Sequence, residues 1–302
     1  MKPFRTLLYY KYVVIPDAAA FTEEHTQLCQ RIGLVGRIII ADEGLNGTVS
    51  GTLVQCRKYM DTVANHPLLT NIDFKIDDVD ELSFSALHVR YKGEIVNSGS
   101  AHLGIDPMTR TGTHLEPKQF AEMMERDDVV VLDVRSNYES GLGRFRGAVA
   151  ADIDNFRDFP EYIKHLEQYR DKKVMTYCTG GIKCEKASAL LLAAGFKDVY
   201  QLHGGIIKYG KEMQGKDFDG NCYVFDNRVS VPVNSVNPTI ISKCRICGTA
   251  STHMVNCANA ECNEHFVLCE ACGTEMQGCC SEACMSSPAL RAYDGTGYYS
   301  KY

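Results

Sequence analysis

Cys178 follows directly on the apolar run 173–177 and opens the segment Cys178, Thr179, Gly180, Gly181, Ile182, Lys183, Cys184, Glu185. Each part of this segment has a chemical use. Gly180 and Gly181 let the backbone curl so that successive N–H groups point at the sulfur, and a helix starting near Cys184 adds the positive end of its dipole. Such a setting favours thiolate; comparable sites bring a cysteine from about 8.5 down to roughly 3.5–7.5. The expected chemistry is that of a nucleophilic sulfur at Cys178, with Lys183 as a cationic head at the rim of the loop. Cys184 is a second thiol that can resolve an oxidised Cys178 as a disulfide, although packing explains a residue in a first helical turn equally well.

A second chemistry lies further on. Nine of the 14 cysteines fall between Cys244 and Cys284. Cys244-Arg245-Ile246-Cys247-Gly248 and Cys269-Glu270-Ala271-Cys272-Gly273 are two copies of one knuckle form, whose turn presents two thiolates to one ion, while Cys257 with Cys262 and Cys280 with Cys284 are looser pairs. Tetrahedral zinc takes four ligands at about 2.3 Å, so pairs must combine. The likeness of the two knuckles favours Cys244, Cys247, Cys269 and Cys272 on one zinc ion and Cys257, Cys262, Cys280 and Cys284 on a second, interleaved along the chain. Sequential pairing is the alternative, Cys279 could replace Cys280, and His253 and His265 are reserve ligands. Eight sulfurs closing two sites leave no position for water, so the metals are expected to be structural, stapling a segment poor in large apolar residues.

Composition bounds what these groups can serve. A length of 302 residues suggests about two domains, and 45% apolar with 23% charged residues excludes disorder and collagen. Residues 1–15 show neither a basic-then-apolar leader nor a small-residue cleavage site, and no apolar run approaches the roughly 18 residues of a spanning helix. A soluble, cytoplasmic protein with no membrane partner is expected, and in that reducing compartment clustered cysteines are metal ligands or catalytic thiols rather than disulfides. The net charge of −6 is spread evenly, about −2 in each of residues 1–100, 101–221 and 222–302. A nucleic-acid partner would need a local basic patch.

The elements that must position these groups follow from periodicity. Residues 6–15 read as a strand, 17–32 as a helix capped by Asp17 with Phe21, Leu28 and Ile32 on one face, 34–41 and 45–51 as strands, 54–64 as a helix and 71–76 as a strand. The order βαββαβ is the ferredoxin-like arrangement, an antiparallel sheet with two helices on one face. Residues 97–114, rich in Gly, Ser, Thr, Asp and Pro, read as a linker. A helix at 116–126, strands at 129–134 and 173–177, a helix at 185–194 and a strand at 199–202 then alternate as in a parallel-sheet α/β domain, with chemistry expected in the loops at the C-terminal strand ends. The chain is thus expected to be a multidomain protein of mixed α/β and α+β class. Tyr298, Tyr299 and Tyr302 in the tail could stack on bases or dock on their own domain.

Asp133-Val134-Arg135, Gly147-Ala148, the Cys178 loop and Leu202-His203-Gly204-Gly205-Ile206, in that order, resemble a rhodanese domain. That resemblance implies that Asp133 and Arg135 pair and brace the loop made by Thr179, Gly180, Gly181 and Ile182. Related phosphatases place an arginine six positions after the cysteine. Here that position is Cys184, so a phosphoryl group would lack its bidentate clamp and a persulfide on Cys178 suits the loop better. Taken with the stretch Asp42-Glu43-Gly44-Leu45-Asn46-Gly47-Thr48-Val49-Ser50-Gly51 and the terminal cysteines, nearly the whole chain is similar to the bacterial tRNA uridine hydroxylases of the rhodanese superfamily. The resemblance implies a ferredoxin-like domain at 1–96, a linker at 97–114, a rhodanese domain at 115–217 and a cysteine-rich zinc segment with its tail at 218–302. It further implies oxygen-dependent formation of 5-hydroxyuridine at position 34 of tRNA, with the anticodon loop as partner, O2 as co-substrate and Cys178 essential. No motif for an organic cofactor is visible, so addition of the Cys178 thiolate or of its persulfide to C6 of the uracil, which makes C5 enolate-like, is the expected route to oxygen. Arg37, Asn46, Arg144, Arg146 and Lys186 are the expected RNA contacts, and Gly44 to Gly47 either approach a phosphate or form a tight connection. Two other readings stand beside this one. The first is a sulfurtransferase moving sulfur from a small-molecule donor through Cys178 to a protein or RNA acceptor. The second is an inert zinc-stapled binding module, against which the intact Cys178 argues. No motif sets an oligomeric state.

Overall fold

The computed structural model describes residues 2–100 and 103–297. Its first unit comprises β1 (Phe4–Tyr12), α1 (Ala18–Ile32), β2 (Val35–Ala41), β3 (Gly44–Thr52), α2 (Leu53–Ala64), β4 (Lys75–Val79) and β5 (Leu87–Tyr91). The sheet order is β4-β1-β3-β2-β5. Its first four strands pair antiparallel in the ferredoxin-like order, and β5 joins β2 in parallel. Asp17 accepts the Ala20 N–H (2.9 Å) to start α1, and Gly33 at φ +82° ends it. Thr52 and Gln55 cap α2 reciprocally. These local signals place both helices where the sequence puts them. Leu7, Tyr9, Ile38 and Ile40 are buried with Phe21, Cys29 and Tyr59 of the helices. Alternation along β1 therefore turns Leu8 and Tyr10 to the opposite face of the sheet.

Three expectations change here. The last expected strand, 71–76, begins instead at Lys75, because Asn71 takes the left-handed conformation (φ +59°) inside a turn. β5 was not foreseen: it is a half-exposed edge strand in which basic residues interrupt the apolar pattern. Gly44 and Gly47 are no phosphate turn but part of the central strand β3. A Cβ at Gly47 would fall 2.4 Å from the Tyr9 hydroxyl, and one at Gly44 2.0 Å from the Lys11 carbonyl. Asn46 is likewise structural, donating to the Ile95 carbonyl at 3.1 Å rather than facing a base.

The second unit holds β6 (Thr113–Leu115), α3 (Pro117–Met124), β7 (Val129–Asp133), α4 (Asn137–Leu142), β8 (Gly143–Phe145), β9 (Val149–Ala150), α5 (Phe159–Tyr162), β10 (Lys173–Tyr177), α6 (Ile182–Ala193), β11 (Val199–Leu202) and α7 (Gly205–Met213). Its parallel sheet runs β6-β11-β10-β7-β9, with β10 central and buried along most of its length. β6 straddles the end of the stretch expected to be linker; three residues reading Thr-His-Leu carry no periodicity that a sequence could reveal. The remaining elements are β12 (Phe218–Tyr223), β13 (Ser230–Pro232), β14 (Met254–Asn256), β15 (His265–Val267), α8 (Glu270–Glu275) and α9 (Glu282–Met285). β12 pairs with β8, so residues 218–223 extend the central unit rather than begin the cysteine-rich one. Among the described residues, no helix is long and apolar enough to cross a membrane.

The open face of the first sheet rests on the central unit. Tyr10 donates to Glu185 (2.9 Å), and Lys186 extends between Glu43 (2.8 Å) and Glu94 (2.7 Å). The Lys186 side chain is 3% exposed. This corrects its expected role, since an ammonium buried between two carboxylates is not available to a phosphate. Removing the cation leaves two carboxylates facing each other at the seam, and breaking a buried pair costs roughly 3–5 kcal/mol. Because both carboxylates keep some solvent, Lys186→Ala should lower the urea unfolding free energy by about 3 kcal/mol; an unchanged midpoint would count against the seam.

Candidate active site and candidate metal centres

Strand β10 ends on Tyr177, whose hydroxyl donates to Asp133 (2.7 Å). Asp133 is also held by Arg135, through Nε at 2.9 Å and a terminal nitrogen at 2.6 Å, and the same guanidinium donates to the Gly143 carbonyl at 2.6 Å. Asp133 and Arg135 are both 0% exposed. They tie the ends of β7 and β10 to β8, beneath the loop and out of reach of a substrate.

Cys178 comes next, and its sulfur accepts the Gly181 N–H at 3.2 Å. Gly181 sits at φ +99° as the cap of α6, a conformation that suits glycine. The Cys178 and Thr179 carbonyls accept from Ile206 (3.0 Å) and Ile207 (3.1 Å). A Cβ at Gly205 would fall 2.6 Å from both carbonyls, which explains the second glycine of the Leu202-His203-Gly204-Gly205 stretch. Cys178 is 1% exposed. Burial opposes its ionisation, but it is outweighed by a hydrogen bond from the Cys184 thiol, the charge of Lys183, and the Cys184 and Gly181 N–H groups, which together bring Cys178 to about 7. Burial and the neighbouring sulfur push Cys184 in the opposite direction, so Cys178 is the thiol of the pair that ionises first.

Lys183 is not at the rim as expected. Its ammonium lies 2.5 Å from Glu139, itself 0% exposed, and 5.4 Å from the centre of the Phe225 ring. The reason is the helix start: α6 begins at Ile182, so Lys183 points inward from its first turn. Glu139 is legible afterwards as the fourth residue of Ser136-Asn137-Tyr138-Glu139, the capping box that opens α4. Sequence reasoning also passed over the cover of the loop. A Cβ at Gly180 would lie 2.9 Å from the Leu8 side chain and one at Gly181 3.0 Å from the Tyr10 hydroxyl, so β1 closes directly on the thiol loop. Glu185 fixes that closure by accepting from Tyr10 (2.9 Å), His114 (2.9 Å), Thr111 (3.1 Å) and Gln201 (3.0 Å).

The other expected RNA contacts are scattered. Arg146 is engaged by Asp219 (3.1 and 2.8 Å), Arg144 is exposed on β8, and Arg37 is exposed on β2. Tyr298, Tyr299 and Tyr302 lie outside the described residues.

The eight paired cysteines come together in two interleaved groups, Cys244, Cys247, Cys269 and Cys272, and Cys257, Cys262, Cys280 and Cys284, with the sulfurs of each group within 4.8 Å of one another. Separations of 3.6 Å for Cys247–Cys269, 3.7 Å for Cys262–Cys280 and 3.6 Å for Cys280–Cys284 fit a tetrahedron of thiolates. Four sulfurs at about 2.3 Å from a central ion lie roughly 3.8 Å apart. The strands β14 and β15 pair between the two groups, which is why the ligands interleave. Cys279 is buried outside both groups. Among the described residues, neither reserve histidine joins them: His253 bonds the Leu268 carbonyl (2.9 Å), and His265 stacks on Tyr138 with ring centres 5.2 Å apart.

Cys178 alkylation should show both features of this loop. Peptide-resolved labelling with iodoacetamide should follow a pH midpoint near 7 and be slow. Leu8→Ala should speed it without moving the midpoint, whereas Cys184→Ala, which removes the hydrogen-bond donor, should raise the midpoint. A midpoint near that of a free thiol in the unaltered chain would count against the loop geometry.

Residues 4–95 match the UPF0176 acylphosphatase-like domain, 116–212 the rhodanese-like domain, and 219–285 the rhodanese C-terminal model. A protein of Cytophaga hutchinsonii named tRNA uridine(34) hydroxylase is 60% identical over 301 residues, covering 100% of this chain and 96% of that protein. Proteins of the same name from Streptococcus thermophilus (46% identical; 96% of this chain, 91% of that one) and Streptococcus pyogenes (48%; 97% and 90%) are similar over the same span. With all three regions matched and full-length relatives this close, the chain belongs to the tRNA uridine(34) hydroxylase family.

Proposed function

We propose that this chain hydroxylates uridine 34 of tRNA to 5-hydroxyuridine, with Cys178 as the reacting thiol and dioxygen as the source of oxygen. The reading is carried by the end-to-end match to relatives named for that reaction, and it is supported by a loop that favours thiolate on Cys178 near neutrality. Attack of the Cys178 sulfur on C6 forms an S–C bond and moves the C5=C6 electrons onto O4 as an enolate. C5 then takes up dioxygen and a proton as a hydroperoxide. Two electrons and two protons from a thiol reductant cleave the O–O bond and release water. Loss of the C5 proton with expulsion of the Cys178 thiolate restores the double bond, now bearing the hydroxyl. Lys183 and the N–H groups stabilise the sulfur as it leaves, and Cys184 keeps its proton as the hydrogen-bond donor. Because Leu8 and Tyr10 close on the loop, entry of the base includes their displacement from Gly180 and Gly181.

In this reading the two four-cysteine groups hold zinc, which the all-sulfur tetrahedral donor set suits and which leaves no position open for chemistry. The site of action is the cytoplasm, where tRNA is the substrate. Sulfur transfer from a small-molecule donor through Cys178 is the second reading, favoured by the rhodanese-like match.

Two measurements test these assignments. In cells lacking the gene, the unaltered chain should restore 5-hydroxyuridine and Cys178→Ala should not. Exact mass is needed, since replacing an oxygen by sulfur adds nearly as much as gaining an oxygen; a thiolated uridine would favour the second reading. Metal analysis of the purified chain should give two zinc ions, and Cys244→Ser should lose one and unfold the segment around it, leaving Cys178 alkylation unchanged.

A further inference from the structure

A cleft of about 420 Å³ opens where the three units meet, bounded by β2 and β5 of the first unit, α4 and the chain after β12 in the central one, and β14–β15 of the cysteine-rich one. The parallel register sets Arg37 beside His88 and Ile39 beside Arg90. Alternation places His88, Arg90 and Lys92 on one face with Arg37. That is the face opposite the one that packs Ile38 and Ile40 on the helices. Arg37, Arg90 and Lys92 are exposed. Among the described residues lining the cleft, the one carboxylate is Asp226, and Arg228 engages it at 2.6 and 2.8 Å. A chain of net charge −6 therefore gathers a cationic wall here.

The facing wall is aromatic. Phe225 is 47% exposed, an unusual setting for so large an apolar ring, and packs edge-on to Tyr223 at 5.1 Å. Tyr138 meets Tyr223 at 5.0 Å and His265 at 5.2 Å. Asn256 and Asn263 add amides along the third side. Cations on one side and ring faces and amides on the other are what a single strand of RNA needs, with phosphates on the first and unstacked bases on the second. The cleft also adjoins the thiol loop. The Phe225 ring lies under the Lys183 ammonium at 5.4 Å, and Thr179 donates to the Tyr223 carbonyl at 3.2 Å.

We infer that this cleft binds the anticodon strand, with the backbone along Arg37, Arg90 and Lys92 and a base against Phe225. The inference rests on the tRNA reading above. It assigns the RNA contact to β5 and to the chain after β12 rather than to Asn46, Arg146 and Lys186.

Fluorescence anisotropy with a labelled anticodon stem-loop RNA tests it. Arg90→Glu combined with Lys92→Glu should weaken binding at least roughly tenfold and reduce the salt slope of log Kobs by about 2. Phe225→Leu, which keeps the apolar volume and removes the ring face, should weaken binding roughly tenfold. Arg57→Glu with Lys58→Glu, an equal charge reversal on the outer face of α2, should leave binding unchanged. Failure of the two readings is then separable. If the β5 and Phe225 variants, shown to melt as the parent does, bind RNA and form 5-hydroxyuridine normally, the cleft assignment falls while the tRNA reading stands. If they lose binding but Cys178→Ala still hydroxylates, the cleft stands and the role of Cys178 falls. An unaltered chain that does not bind the stem-loop overturns the cleft assignment as well.

Discussion

A negative charge held out of water must be answered by nearby donors, and the architecture around Cys178 is a sequence of such answers. The sulfur is buried, so its ionisation depends on the Gly181 and Cys184 N–H groups, on the Cys184 thiol and on Lys183. Lys183 is nearly buried too, and is balanced by Glu139. Glu139 is fixed because it caps α4, and α4 hangs from β7 by the turn that Asp133 and Arg135 hold. Each compensation requires the next, which makes the loop rigid and gives its neighbours little room to change independently.

The same logic extends across the unit boundaries. Glu185 and Lys186 follow Cys184 in sequence, and both reach the first unit, one through Tyr10 and the other through Glu43 and Glu94, while Glu185 also holds His114 of β6 within its own unit. The helix that presents its N-terminus to the thiolate therefore also locks the covering sheet in place. Helix α6 is buried along nearly its whole length for this reason, rather than amphipathic.

Much of this was legible in the residues. The Cys178 loop, the parallel strands, both helices of the first unit and the grouping of cysteines follow from glycine placement, capping residues and ligand spacing, all of which are local. What escaped was non-local or masked. β6 is too short to show a period, and β5 carries basic residues on its outer face where an apolar pattern was sought. The inward turn of Lys183 depends on α6 starting three residues before the expected Glu185. Lys186 resembles a surface group in sequence and is structural only because the first unit packs on it, and Asn46 is structural through the Ile95 carbonyl, a partner far along the same domain's chain. The fifth strand is the instructive case: His88, Arg90 and Lys92 stand at every second position, the period of a strand, with charge in place of hydrophobicity.

The interleaving of the two cysteine groups has a consequence for how the protein is made. Neither group is complete until the chain has been synthesised past Cys272 for one and Cys284 for the other, so the hairpin β14–β15 cannot be pinned at both ends until then. His265 and Asn263, which close the third side of the cleft, lie in the part pinned last. A ribosome-bound chain can have folded its thiol loop and covering sheet, with every residue around Cys178 in place, while the junction of the three units still lacks one wall. Completion of the molecule is thus set by its last cysteines rather than by its reactive one.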